Sequence, residues 1–242
     1  MRILLLADIH ANLVALEAVL ADAADSSWDE AWALGDTIGY GSEPNECLAR
    51  LRELNASTLA GNHEAAAIGE LPTDKFNPHA RAAIDWTAGV LAPENRQYVM
   101  AMPLRLELDR LTLVHGSPRN PVWEYLTSEA AAAANLAHFA TQGCLVGHSH
   151  VPFLARMDGM KAVLVAPAPH EPLQIGEARY YLNPGSVGQP RDGDPRASYA
   201  LLDTVKWTVE FHRAQYNVEA AQSGIRAAGL PEILATRLAH GR

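Results

Sequence analysis

The chain has 242 residues, 48% of them hydrophobic, so it can bury a core of good size, and no run approaches the ~18–20 apolar residues of a membrane-spanning helix. Its formal net charge of −9 argues against a broad footprint on nucleic acid, which needs a basic face, while leaving short phosphorylated ligands open. Cys47 and Cys144 are too few for a disulfide framework or a thiolate metal site, and the opening run MRILLLADIH is too short and too soon polar for a secretion signal, which predicts a cytoplasmic protein.

Taken in order, Arg2 to Ala7 is a continuous apolar run ending at Asp8, the pattern of a strand buried on both faces. Asn12 is placed to cap a helix in which Leu13, Leu16, Val19 and Leu20 recur at helical spacing. A short strand over Ala31–Leu34 ends at Gly35-Asp36, a helix over Pro44–Leu54 carries Pro in its first turn, and a third strand over Ser57–Ala60 ends at Gly61-Asn62-His63. Strand, polar tip and helix, three times over, is the pattern of a βαβ sheet, whose ligands bind beyond the carboxyl ends of the strands. Residues 65–102 break the rhythm with Pro72, Pro78 and Pro93 and two helical stretches, His79–Leu91 and Glu94–Met100, which predicts a helical insertion over that edge. A hairpin over Leu104–Leu108 and Leu111–Val114 runs into His115-Gly116, and a helix near Ser128–Phe139 leads to the strand Cys144–Val146 and then Gly147-His148-Ser149-His150. Residues 152–211 are mostly strands, and two helices, Val218–Ala228 and Pro231–His240, close the chain. The absence of linkers and repeats predicts one domain over residues 1–242, an α/β sandwich of four layers (α/β/β/α) with two mixed sheets face to face and helices outside.

Five pieces share a feature: each sets metal-binding atoms just after a strand. They are Asp8-x-His10, Gly35-Asp36, Gly61-Asn62-His63-Glu64, His115-Gly116 and Gly147-His148-Ser149-His150, and they hold half of the ten histidines. One alone is weak. His148-x-His150 is stronger, because alternate residues of an extended segment point to one side. His79, His138, His170, His212 and His240 match no metal spacing. The ordered set resembles the calcineurin-like metallophosphoesterases, whose pattern is D-x-H, G-D, G-N-H-[DE], a later H and G-H-x-H. The insertion after Glu64 and the stretch NPGSVGQPRDGDPR over Asn183–Arg196 resemble the small bacterial phosphodiesterase branch.

That resemblance implies one divalent ion held by Asp8, His10, Asp36 and His150 and a second held by Asp36, Asn62, His115 and His148, with Asp36 bridging. His63 faces the substrate as the catalytic residue. Two metals about 3.5–4 Å apart need a shared carboxylate to offset their repulsion, and bound water falls from a pKa near 15.7 to about 7 on such ions. With Asp8 and Asp36 as the charged ligands, two divalent ions leave roughly +2 at the site, enough to hold a phosphate on an acidic chain. The expected reaction is hydrolysis of a phosphate ester, a phosphodiester above all, by hydroxide activated between the metals, with His63 protonating or hydrogen-bonding the leaving oxygen. The mixed N/O donor set suits Mn in the assay tube, with Fe, Co, Ni or Zn as alternatives.

Arg119, Trp123, Tyr125 and Arg191 are candidates for the substrate pocket, and a plain packing role suits the aromatics equally. Asn183 and Ser186 lie in a Gly/Pro-rich loop that approaches the same edge or simply turns, and Arg191 with Arg196 is a candidate pair for a second phosphate. The expected partner is a small phosphorylated substrate, with no membrane and no long nucleic acid. A nuclease acting on short nucleic acid and a non-catalytic scaffold on the same fold are the alternatives.

Overall fold

The computed structural model describes residues 1–165 and 167–242; Ala166, inside the strand-rich stretch expected over 152–211, lies outside them. One six-stranded sheet is built from β1 (Arg2–Leu6), β2 (Glu30–Ala33), β3 (Ser57–Thr58), β9 (Leu173–Gln174), β11 (Ala197–Asp203) and β12 (Thr208–Ala214), in the order β3-β2-β1-β11-β12-β9. The other holds β4 (Arg105–Leu108), β5 (Leu111–Val114), β6 (Gly143–Leu145), β7 (Phe153–Asp158), β8 (Lys161–Val165) and β10 (Tyr180–Asn183), in the order β4-β5-β6-β10-β7-β8. The sheets pack face to face with helices on their outer sides, the layered sandwich that the sequence predicts.

Strand alternation shows why. In β1, Ile3 and Leu5 point into the space between the sheets, against Leu113, Leu145 and Leu182, while Leu4 and Leu6 point outward onto Leu16, Val19 and Leu51. These outward contacts come from α1 (Leu13–Ala23) and α2 (Pro44–Glu53). β10 divides likewise, Tyr180 and Leu182 inward and Tyr181 outward against Ala132 of α6 (Glu129–Asn135). A fully buried Leu or Ile contributes roughly 1.5–3 kcal/mol, so central strands covered on both faces are the best anchored and carry unbroken apolar runs.

Each sheet contains a parallel trio: β1, β2 and β3 in one, β5, β6 and β10 in the other. Their carboxyl ends meet along one rim. After β3 come α3 (Asn62–Ala67), α4 (Pro78–Val90) and α5 (Pro93–Met100). Ile84 and Val99 pack on Ile38, Leu48 and Ala66, while Ala80 and Ala83 meet Tyr40 and the terminal helices α7 (Val218–Ala227) and α8 (Glu232–Thr236).

Three local expectations change. The third strand shortens to Ser57–Thr58, and Asn62-His63 open α3 instead of ending a loop, because the Gly61 N–H donates to Glu64 Oε2 at 2.8 Å and the acidic third residue of the helix closes its first turn. The helices expected to run to Phe139 and His240 finish as single 3₁₀ turns, Leu136–His138 and Arg237–His240. His148 and His150 are not in extended backbone; both take left-handed conformations.

Candidate metal centre

Asp8 follows β1, Asp36 follows β2, Asn62 and His63 follow β3, His115 follows β5, and His148 and His150 follow β6. All seven are buried. Four of them have positive φ, Asp8 at 52°, Asp36 at 51°, His148 at 63° and His150 at 59°, and so does His10, two residues beyond Asp8, at 49°. Such backbone costs about 1–3 kcal/mol per residue and persists only where its surroundings hold it. Here the Asp8 N–H donates to Gly35 O at 3.1 Å, the His10 N–H to Asp36 O at 2.9 Å, and the His148 N–H to Asp8 Oδ2 at 3.0 Å. The bend turns each side chain from the strand into the rim.

Two separate groups of ligand atoms result, and a third set, His10, Asp36 and His63, overlaps both. Asp8, His10 and His150 form one: His150 Nε2 lies 3.2 Å from Asp8 Oδ1 and 3.1 Å from His10 Nε2. Asp36, His115 and His148 form the other, with His115 Nε2 3.2 Å from Asp36 Oδ2, 3.2 Å from His148 Nδ1 and 3.1 Å from Asn62 Oδ1. Asp36 Oδ2 also lies 3.7 Å from His10 Nε2, so this one oxygen reaches both groups. His148 and His150 therefore serve different groups, which two imidazoles on one side of an extended strand would not do.

The donor chemistry fits cations. The Nδ1 atoms of His10 and His150 face the carbonyls of Ile38 and Gln189 at 3.2 and 2.6 Å and donate to them, leaving lone pairs on the two Nε2 atoms that oppose each other. Two lone pairs facing at that distance repel; a positive ion between them turns the contact favourable. His115 Nδ1 is held the same way by Leu34 O at 2.9 Å. Protonation tells the same story. Burial and the nearby Asp36 charge push Asp8 up to about 7, although His115 pulls the other way. Burial also opposes charge on His115, yet the Asp36 carboxylate outweighs it and lifts the imidazole to about 9; burial opposes charge on Asp36 too, but His115 and His63 together hold it well below the usual carboxylate range. Burial drives His10 and His150 well below the ordinary imidazole value and His148 to about 3.

A family model described as the calcineurin-like phosphoesterase superfamily domain matches residues 1–206. The chain belongs to that superfamily. A metallophosphoesterase crystal structure from Sphaerobacter thermophilus superposes with a TM-score of 0.91 at 48% identity, covering 100% of this chain and 99% of that one. MJ0912 of Methanocaldococcus jannaschii is 36% identical over 247 residues, 99% of this chain and 98% of its own length. Phosphodiesterase YfcE of Escherichia coli is 28% identical over 214 residues, spanning 84% of this chain and 88% of its own length. With these relatives and this arrangement of Asp and His, the site is that of a dinuclear-metal hydrolase acting on phosphate esters.

The remaining candidates fall around it. His63 Nε2 lies 4.0 Å from Asp36 Oδ2, and its ring packs against His10, Tyr40 and Phe76. Its Nδ1 is buried without a hydrogen-bond partner, and burial lowers its pKa to about 4, so the ring is neutral near pH 7. Tyr125 stacks on His148 at 4.0 Å between ring centroids; Trp123 meets Phe76, which lies before α4, at 4.8 Å. Arg119 is engaged by Glu124, which also accepts from Ser117 Oγ and Asn135 Nδ2. Arg196 is paired with Asp194, not with Arg191.

The loop after β10 approaches the rim as anticipated, and its side chains hold the others. Asn183 Nδ2 donates to Gly147 O at 2.7 Å, and Ser186 Oγ donates to Asp8 O at 2.7 Å. A Cβ at Gly188 would collide with the Ile9 carbonyl, so only glycine lets this loop close on the Asp8 turn. Tyr40 and the structural part of Glu64 escape sequence reasoning. Glu64 has a faint signal, an acid in the third position of a helix, whereas nothing near Tyr40 announces that its ring covers His10 and His63.

Among the described residues no helix is long and apolar enough to cross a membrane.

Proposed function

We propose that this chain is a metal-dependent phosphodiesterase in which Asp8, His10, Asp36 and His150 hold one divalent ion and Asp36, Asn62, His115 and His148 hold a second. The observation that carries it is the position of Asp36 Oδ2, 3.7 Å from His10 Nε2 in one group and 3.2 Å from His115 Nε2 in the other. When bound, the ions would supply charge for phosphate oxygens and lower the pKa of water toward neutrality. The chain's own residues do the rest. Carbonyls of Ile38, Leu34 and Gln189 fix three imidazole tautomers, and Asn62 offers a neutral oxygen that preserves the positive excess at the site. His63 is the catalytic residue: neutral and buried, it offers an Nε2–H to the leaving oxygen, and a phosphate arriving beside it raises its proton affinity. Trp123 and Tyr125 form an aromatic wall, with Arg119 fixing their loop and Arg191 lying behind His150.

Manganese suits this N/O set in the assay tube, with Fe, Co, Ni and Zn as alternatives. Two free buried cysteines fit the reducing cytoplasm. We take residues 1–242 as one unit, with 65–102 as an insertion over the site and 217–242 as its terminal helical brace, acting on a small phosphorylated substrate.

The test is hydrolysis of generic diesters and monoesters, cyclic nucleotides and dinucleoside polyphosphates with each metal added, beside His63→Ala. The variant is expected to keep its metal and lose roughly 10²–10⁴-fold in turnover. Equal rates in the two proteins would remove His63 from the mechanism, and silence across the panel would favour a scaffold.

A further inference from the structure

Two arginines converge on Tyr40, next to the metal centre. The Arg191 guanidinium carbon lies 5.8 Å from the Tyr40 ring centroid and that of Arg237 lies 6.0 Å from it. The same ring packs directly on His10 at 4.6 Å and on His63 at 4.5 Å, so the guanidiniums stand one aromatic ring away from the candidate ligands. Among the described residues neither arginine meets a carboxylate side chain. Arg191 donates from Nη2 to Gln189 Oε1 at 2.8 Å and from its main chain to His150 O at 3.4 Å, and its Nε is buried with no partner. Arg237 donates from Nε to the main-chain oxygen of Arg242. A guanidinium has five N–H donors, so most of this capacity is free.

Arg50, Arg119, Arg196, Arg213 and Arg226 each have an acidic partner, whereas Arg191 and Arg237, like Arg96 and Arg179, meet no carboxylate side chain among the described residues. Burial, with the neighbouring Arg191 charge, depresses the pKa of Arg237. Arg237 also lines a cavity of about 470 Å³ between the start of α4 and the end of the chain, together with His79, His240 and Arg242. No Asp or Glu side chain lines it.

We propose that Arg191 and Arg237 form an anion subsite that takes a second phosphate of the substrate, whose remainder extends into this cavity. The natural substrate is then a phosphodiester bearing a further phosphate, such as a nucleotide with more than one phosphate group. Guanidiniums bind phosphate oxygens through paired N–H donors, which suits two forks set around one ring. This rests on the hydrolase reading, and it assigns a specificity role to α8 and the terminal turn.

The test uses the metal-loaded protein and two chromogenic diesters, thymidine 5′-(p-nitrophenyl phosphate) and the same compound with a 3′-phosphate. The wild-type kcat/KM is expected to favour the second compound by about tenfold or more, mainly through KM, as charge-assisted hydrogen bonds of this kind support. Arg237→Gln and Arg191→Gln should bring the ratio near one, Arg237→Lys should restore part of it, and added NaCl should erode it. Calorimetry of thymidine 3′,5′-bisphosphate against thymidine 5′-phosphate reads the same preference without turnover. A wild-type ratio near one, or a preference that survives Arg237→Gln while only thermal stability drops, overturns the subsite and leaves Arg237 as a clamp on the chain end. Failure to hydrolyse either diester with any metal, with the calorimetric preference intact, would instead sink the hydrolase reading.

Discussion

Glu64 receives the backbone N–H of Asp36 at 2.9 Å, and the same carboxylate takes those of Gly61 at 2.8 Å and Ile38 at 3.1 Å. One buried side chain thereby ties the turn after β2 to the turn after β3, and so sets Asp36 relative to Asn62 and His63. Burial and the Asp36 charge push its pKa up to about 7, while the N–H donors hold it down.

Glu64→Ala leaves three buried N–H groups without an acceptor. At about 1–3 kcal/mol each, the fold is expected to lose roughly 3 kcal/mol or more. Urea unfolding of the metal-free protein reads this directly. Glu64→Gln should be milder, since one amide oxygen still accepts, but its NH₂ opposes the Ile38 donor. A glutamine variant as stable as wild type would show that the third bond contributes nothing.

Asp36 and Asp8 should differ in metal content. Asp36→Asn removes the charge between the two groups and is expected to reduce the loaded metal from two ions per chain to less than one. Asp8→Asn removes a ligand only from the group with His10 and His150, its other contact being the His148 main-chain N–H, and should spare one ion. Elemental analysis after dialysis separates these outcomes; equal losses in the two variants would contradict an Asp36 bridge.

Glu124 gives a pH dependence. Its hydrogen bond from Arg119, against an opposing burial effect and helped by Ser117 and Asn135, lowers its folded pKa to about 2 from an ordinary 4.5. The folded state therefore favours the charged form, and this contribution is complete above pH 4.5 and lost as pH falls toward 2. The difference in Tm between wild type and Glu124→Gln should hold steady at pH 5–7 and narrow below 4.5. A gap of constant size down to pH 2 would mean that the carboxylate charge plays no part.

Gly39 lies at φ 85°, and a Cβ there would strike the His63 ring at Nδ1. Gly39→Ala should displace His63 from the rim, cutting turnover toward the level of His63→Ala while the metal content stays near wild type. Full activity in this variant would show that the ring can shift and still serve.

How far the site was legible depended on the kind of contact. Asp8, Asp36, Asn62, His115, His148 and His150 stood out because each follows a short apolar strand, and a strand's exit in such a sheet points to the ligand rim. Their division into two groups did not follow from spacing. His148 and His150 part company because both residues adopt left-handed backbone, a choice stabilised by Asp8 and the β10 loop, many residues away in the chain.

By itself the sequence determined the two-sheet sandwich, since unbroken or alternating apolar runs decide which faces are buried, and it determined which residue types could bind metal. The family resemblance implied an Asp36 bridge; the tertiary structure alone decided that Tyr40 covers His10 and His63 and that Arg237 from the last helical turn meets the same Tyr40 ring as Arg191. Those relationships arise where elements distant in the chain pack at one rim, and local periodicity carries no record of such meetings.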